Sequence, residues 1–172
     1  MEKIKAYLLG EIISSADADA FSLFKKSHFG EPKDGKIKYS LAEAIFLVER
    51  GKMEIFSRNK KISKKDFIEK CSKIDRRIGL KYAVFKDLRE RGYVVKTALK
   101  FGADFRVYEK GTSPGKGHAR WVIFCEHESS RLTWHEFSAK NRVAHSTKKN
   151  LLLAIIDEEG DISYYEVRWI KP

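Results

Sequence analysis

Tyr108, His118 and Lys149 are the side chains of this 172-residue chain whose types and spacing suit chemistry. The tyrosine ends an apolar strand pattern, the histidine follows the glycine-rich stretch 111–117, and the lysine opens a later strand pattern. A phenol and an imidazole exchange protons, and an ammonium holds anionic charge. Each residue also has a plainer reading. A tyrosine at a strand end is ordinarily an amphipathic surface residue, and a lone histidine is ordinarily a satisfied polar group. Lys148-Lys149 can be two solvated charges at a helix end, where they favour the dipole. Spacing by itself leaves both readings open.

Other familiar motifs fail on their chemistry. The stretch Gly111-Thr112-Ser113-Pro114-Gly115-Lys116-Gly117 lacks the four-residue spacing, and the Ser or Thr after Lys, that a phosphate-binding P-loop needs. His135-Glu136 has no second histidine at the spacing of a zinc-protease helix, and the five histidines are scattered. Asp104, Glu126 and Glu128 are the acids that a metal-dependent nuclease reading would use, but they form no convergent pair in the sequence. No metal site and no cofactor is expected.

Composition narrows the class. There are 35 Lys plus Arg against 24 Asp plus Glu, a net charge of +11, and the pI is near 9.6. Such a surplus makes a polyanion the first partner to consider, because cations that neutralise phosphates release condensed counterions. Lys-rich surfaces also serve solubility and heat tolerance, so charge alone does not decide it. With 42% hydrophobic and 34% charged residues, the chain is expected to fold around a packed core. Its longest apolar run, 151–156, is far short of a membrane span, and Met1-Glu2-Lys3 leads into no apolar signal region. Two cysteines, Cys71 and Cys125, make neither a disulfide framework nor a zinc cage. A cytoplasmic protein without membrane partners is expected.

The elements that must position these side chains follow from periodicity and caps. A strand is expected from Ile4, and a helix over 17–29 with Asp17 or Asp19 as its N-cap. The Pro32–Gly35 turn follows. Ser40-Leu41-Ala42-Glu43 matches a capping box that opens a helix ending at Gly51, and Ser63 to Asp66 is a weaker box. The stretch 58–65 holds five Lys or Arg and reads as a solvated face. From Ile78 the pattern changes to one strong helix with Gly92 beyond it, then strands over 93–97, 105–109, 119–126, 151–157 and 162–170. Thr133-Trp134-His135-Glu136 is a third capping box. This predicts an α+β fold in two units, 1–77 and 78–172, without a stiff linker.

The ordered strings Tyr93-Val94-Val95-Lys96-Thr97, Lys100 to Tyr108 (KFGADFRVY), Gly117-His118-Ala119, Arg142-Val143-Ala144-His145-Ser146 and Asp157-Glu158-Glu159-Gly160-Asp161 resemble the archaeal tRNA-intron (tRNA-splicing) endonucleases. In the N-terminal half, His28-Phe29-Gly30, Leu41-Ala42-Glu43-Ala44 and Leu47 to Gly51 look like the small domain of that family. The resemblance implies a small N-terminal α/β domain for structure and assembly. A C-terminal catalytic domain, a nuclease-like mixed sheet flanked by helices as in restriction endonucleases, would follow it. It also carries the catalytic roles to Tyr108, His118 and Lys149, with Lys148-Lys149 standing where the family has Arg-Lys.

The reaction implied is metal-free cleavage of precursor tRNA at bulge-helix-bulge intron boundaries. The neighbouring 2′-hydroxyl attacks and leaves a 2′,3′-cyclic phosphate and a 5′-hydroxyl. His118 would be the acid, since an ordinary imidazole with a pKa of about 6.5 keeps a protonated fraction near neutrality. Lys149 would hold developing charge, and Tyr108 would serve as base, although a free phenol is only about 0.1% ionised at pH 7. A flipped base would be clamped between Arg142 and Trp169, with stacking on the order of 1–3 kcal/mol per base. The acidic loop of Asp157, Glu158, Glu159 and Asp161 would dock into another subunit of a homotetramer, or of a heterotetramer with a structural subunit. Its plainer reading is a hairpin turn with Gly160 at positive φ. Two other readings stay open: a noncatalytic RNA-binding subunit of such an assembly, and a metal-dependent DNA nuclease.

Overall fold

The computed structural model describes residues 2–172, which form two compact units that divide between Tyr82 and Ala83. The first contains strands β1 (Ile4–Leu9), β2 (Ile12–Ser15), β3 (Glu31–Lys33), β4 (Lys36–Tyr39), β5 (Met53–Ser57) and β6 (Lys60–Lys61). Helices α1 (Ala18–Ser27), α2 (Leu41–Glu49) and α3 (Lys64–Ile74) accompany them. The sheet runs β3-β4-β2-β1-β5-β6, with β1 and β5 parallel and the other pairs antiparallel. Strict alternation buries Ile4, Ala6 and Leu8 of β1 and turns Lys5, Tyr7 and Leu9 outward.

Glu43 ties this unit together. One carboxylate oxygen accepts from the Ser40 amide and hydroxyl, closing the expected capping box, and the other accepts from the Gly30 amide at 2.9 Å. Gly30 sits at φ +74°, and a Cβ there would lie 2.3 Å from Ile37 Cγ2, so only glycine fits. Two expectations change. Asp17 takes the N-cap position of α1 without capping it, because its carboxylate accepts from the Lys5 amide at 2.7 Å instead. The turn after Gly30 belongs to a hairpin, β3–β4, whose exposed first strand has no apolar alternation to betray it.

Helix α4 (Ile78–Glu90) crosses from one unit into the next. The second unit continues with β7 (Val94–Ala98), a 3-10 turn over Leu99–Phe101, β8 (Ala103–Tyr108), β9 (Trp121–His127), α5 (Trp134–Ser146), β10 (Asn150–Ile156) and β11 (Ile162–Val167). The sheet order is β11-β10-β9-β8-β7. Only β9 and β10 are parallel, and the crossover between them is α5, which starts on the expected Thr133–Glu136 capping box. Val122, Phe124 and Leu151 pack with Ala144 of α5 on one face. On the other face Phe85 meets Phe105 at 5.9 Å, and the Tyr164 hydroxyl donates to Asp87 at 2.7 Å. Burial and this carboxylate push the Tyr164 phenol far above its ordinary value.

The last strand is shorter than expected and stops at Val167, leaving Trp169 beyond it. Its partner runs out there: Val167 pairs with Leu151, and β10 begins one residue earlier. Among the described residues no helix is long and apolar enough to cross a membrane.

Candidate active site

The register of three strands brings the predicted chemistry to one end of the second sheet. Val107 pairs with Trp121, and Trp121 pairs with Asn150. Tyr108 therefore lies one residue past the ladder on β8, His118 three before β9, and Lys149 one before β10. Backbone bonds lace the junction: the Arg120 amide donates to the Val107 carbonyl, and the Asn150 amide to the Arg120 carbonyl, both at 2.9 Å. Arg106, Val122 and Leu151 share one face across the three strands, so Tyr108 and Lys149 emerge on that same face, the one covered by α5. Their backbones are two strand spacings apart, roughly 10 Å. Tyr108 is buried, whereas His118 is exposed on the loop.

The end of α5 separates the roles of the two adjacent lysines. The Lys149 amide donates to the Ala144 carbonyl and the Lys148 amide to the His145 carbonyl, the paired bonds of a Schellman motif. Lys148 takes its left-handed position at φ +55° and is exposed. Lys149 is thereby turned inward: its Nζ lies 5.4 Å from the Phe101 ring centre and donates to the Thr147 carbonyl at 2.8 Å. Partial burial, and then the positive charge of Arg106, hold the Lys149 ammonium below its ordinary pKa.

Beside this junction lie two cavities. One of about 380 Å³ is lined by Ser138, Asn141, Arg142, His145 and Trp169. A smaller one of about 150 Å³ is lined by Asn141, His145, Lys149, Asn150, Val167, Arg168 and Trp169. The structure thus brings Arg142 and Trp169 together, and Asn141, His145 and Trp169 form the wall between them and Lys149. His145 packs against Trp169 with ring centres 4.6 Å apart. Sequence reasoning missed His145 and Asn141 as site residues. The signal was present, since 138, 141, 142 and 145 repeat at the spacing of one helix face.

A larger cavity, about 540 Å³, opens over Phe101, Phe124, Glu126, Arg131, Glu136 and Lys140 and holds none of Tyr108, His118 and Lys149. The acids of the metal-nuclease reading are occupied separately. Asp104 accepts from the Cys125 amide at 2.9 Å, Glu126 pairs with Lys140 at 3.1 Å, and Glu128 accepts from the Glu158 amide at 3.1 Å. Among the described residues no group of three His, Cys, Asp or Glu side chains could hold a metal ion.

Comparison with known proteins gives the family. Residues 78–164 match the model of the tRNA intron endonuclease catalytic C-terminal domain, and residues 4–68 that of its N-terminal domain. The chain belongs to the tRNA intron endonuclease family. It is 42% identical over 166 residues to the tRNA-splicing endonuclease of Thermococcus gammatolerans, covering 96% of this chain and 97% of that one. The tRNA-splicing endonuclease of Methanothermobacter thermautotrophicus is 39% identical over 171 residues, 99% of each chain. That of Nanoarchaeum equitans is 44% identical over 138 residues, 77% of this chain and 88% of its own. The protein is accordingly an endoribonuclease, with the α+β layout of its family.

Proposed function

We propose that the enzyme cuts precursor tRNA at bulge-helix-bulge intron boundaries without a metal ion, using the RNA's own 2′-hydroxyl as nucleophile. The Val107–Trp121–Asn150 register, which puts Tyr108 and Lys149 at one sheet end with His118 on the loop into β9, is the observation that carries the reading in a member of this family. Tyr108 takes the 2′-proton as the 2′-oxygen bonds to phosphorus. His118 gives a proton to the departing 5′-oxygen as the P–O5′ bond breaks, and Lys149 neutralises the phosphorane oxygens. The products are a 2′,3′-cyclic phosphate and a 5′-hydroxyl. An ammonium already partly desolvated sheds little water on meeting a phosphate, which suits Lys149 to that place.

Arg142 and Trp169, facing one cavity, suit a base splayed from a bulge, one offering a cation and the other a ring. Two such bulges need two active sites held apart by a symmetric assembly, which we take to be a tetramer, formed with itself or with a structural subunit. The acidic loop supports docking between subunits. Asp157 is spent inside the loop, its Oδ1 accepting from the Glu159 and Asp161 amides at 2.9 Å each, while Glu158, Glu159 and Asp161 are exposed. Incubation of the purified protein with a bulge-helix-bulge RNA in excess EDTA tests the reading. Persistent cleavage supports it, and intact RNA would overturn it in favour of a metal-dependent nuclease.

A further inference from the structure

His118 is exposed, on the twelve-residue excursion 109–120 between β8 and β9, where a side chain would ordinarily wander. The segment 109–120 is nevertheless tied at two levels. At its base Glu109 and Arg120, the first and last residues, form an ion pair through Arg120 Nη1 and Glu109 Oε1. Arg120 is itself pinned. Its guanidinium lies 4.7 Å above the Trp121 ring centre and its Nη2 is 3.9 Å from Glu166, which accepts from the Trp121 indole at 2.6 Å.

Higher up, the Thr112 amide donates to the Glu109 carbonyl at 2.9 Å, and the Lys116 and Gly117 amides donate to the carbonyl of buried Ser113 at 3.0 and 3.2 Å. The two limbs touch at Gly117, where an added Cβ would stand only 2.7 Å from Thr112 Cγ2. His118 is therefore held between a glycine in contact with the opposite limb and the buried Ala119.

We infer that the Glu109–Arg120 clasp and the Thr112–Gly117 contact are positioning elements that hold the His118 imidazole over the sheet end where the leaving oxygen is protonated. The inference rests on the reading of His118 as proton donor. Exposed ion pairs contribute little to global stability. This one closes a short loop whose own ordering decides how often the acid is in place, so its loss lowers the rate of the chemical step and leaves RNA binding and the melting temperature nearly untouched.

The test is single-turnover cleavage of a bulge-helix-bulge RNA by the full-length enzyme. Both the rate at saturation and the half-saturating enzyme concentration are read, for Glu109→Gln, Arg120→Gln, the double variant and His118→Ala. Each clasp single is expected to slow the saturated rate about five- to tenfold with half-saturation within about twofold, and the double to be no slower than the slower single. A second pair is independent of charge. Gly117→Ala should slow the reaction similarly, and Thr112→Ser, which removes the crowding methyl, should restore most of the rate in the combined variant.

Clasp variants at the wild-type rate, multiplying effects in the double, or a loss confined to half-saturation would overturn the inference while His118→Ala stays inactive. A fully active His118→Ala would instead sink the reading of His118 itself. If the clasp variants fail to fold, the Gly117 and Thr112 pair decides: no recovery in the combined variant would refute the positioning role.

Discussion

His145 and Trp169 stand with ring centres 4.6 Å apart and planes inclined by 60°, making one aromatic wall for both cavities beside Lys149. Trp169 is 57% exposed and lies past the end of β11, so no ladder bond orients it; the imidazole does. His145→Ala should therefore raise the half-saturating RNA concentration about tenfold, the worth of one aromatic contact and its ordering. His145→Phe should recover most of the loss, which titration of cleavage against RNA concentration checks.

Lys148 occupies a left-handed position that glycine adopts without strain. Lys148→Gly should stabilise the fold by up to about 1 kcal/mol, or roughly 2–4 °C in melting temperature for a chain of this size. Cleavage should be retained. Differential scanning calorimetry beside a cleavage assay measures both, and a lowered melting temperature would contradict the Schellman assignment.

Lys149 is a charge that the fold holds at a cost in stability. Its folded pKa lies below the ordinary lysine value of 10.5, so its charge opposes folding at neutral pH, where both states hold the proton. As pH rises toward 10.5 the folded chain releases that proton first and the penalty fades. Lys149→Met should lose cleavage by ~100-fold or more and gain on the order of 1–2 °C in melting temperature at pH 7. The gain should shrink by pH 10. A constant difference across that range, followed by thermal melts, would place the desolvation elsewhere.

Local caps and long-range register are unequally legible in the sequence. The Ser40–Glu43 and Thr133–Glu136 boxes announce their helices because a cap is a local device, four residues long, and both are present as reciprocal bonds. Tyr108, His118 and Lys149 stand out as types, yet their placement at one sheet end depends on the register Val107–Trp121–Asn150, which joins residues far apart in the chain. The inward turn of Lys149 and the outward turn of Lys148 come from backbone bonds to α5 that no residue-type rule contains. Trp169 reads as a strand residue because alternation continues through Tyr165, Val167 and Trp169, but a strand lasts only as long as its partner, and β10 ends the ladder at Leu151. His145 is legible as a neighbour of Arg142 on one helix face, whereas its ring contact with Trp169 joins residues remote in sequence.

The acidic loop divides into a residue that builds it and residues that face outward. Asp157→Ala removes acceptors for two amides and should lower the melting temperature by about 2–4 °C. Glu158→Gln, Glu159→Gln and Asp161→Asn together should leave the fold intact and reduce the mass measured by light scattering. An unchanged mass would refute docking through this loop.

Attack by the RNA's own 2′-hydroxyl is tested by replacing a single 2′-hydroxyl, at one of the two cut sites of a bulge-helix-bulge RNA, with hydrogen. This bond should survive while the unmodified bulge in the same molecule is still cut, leaving a 2′,3′-cyclic phosphate detectable by mass spectrometry. Cleavage at the deoxy position would mean that water is the nucleophile, and the roles given to Tyr108 and His118 would be wrong.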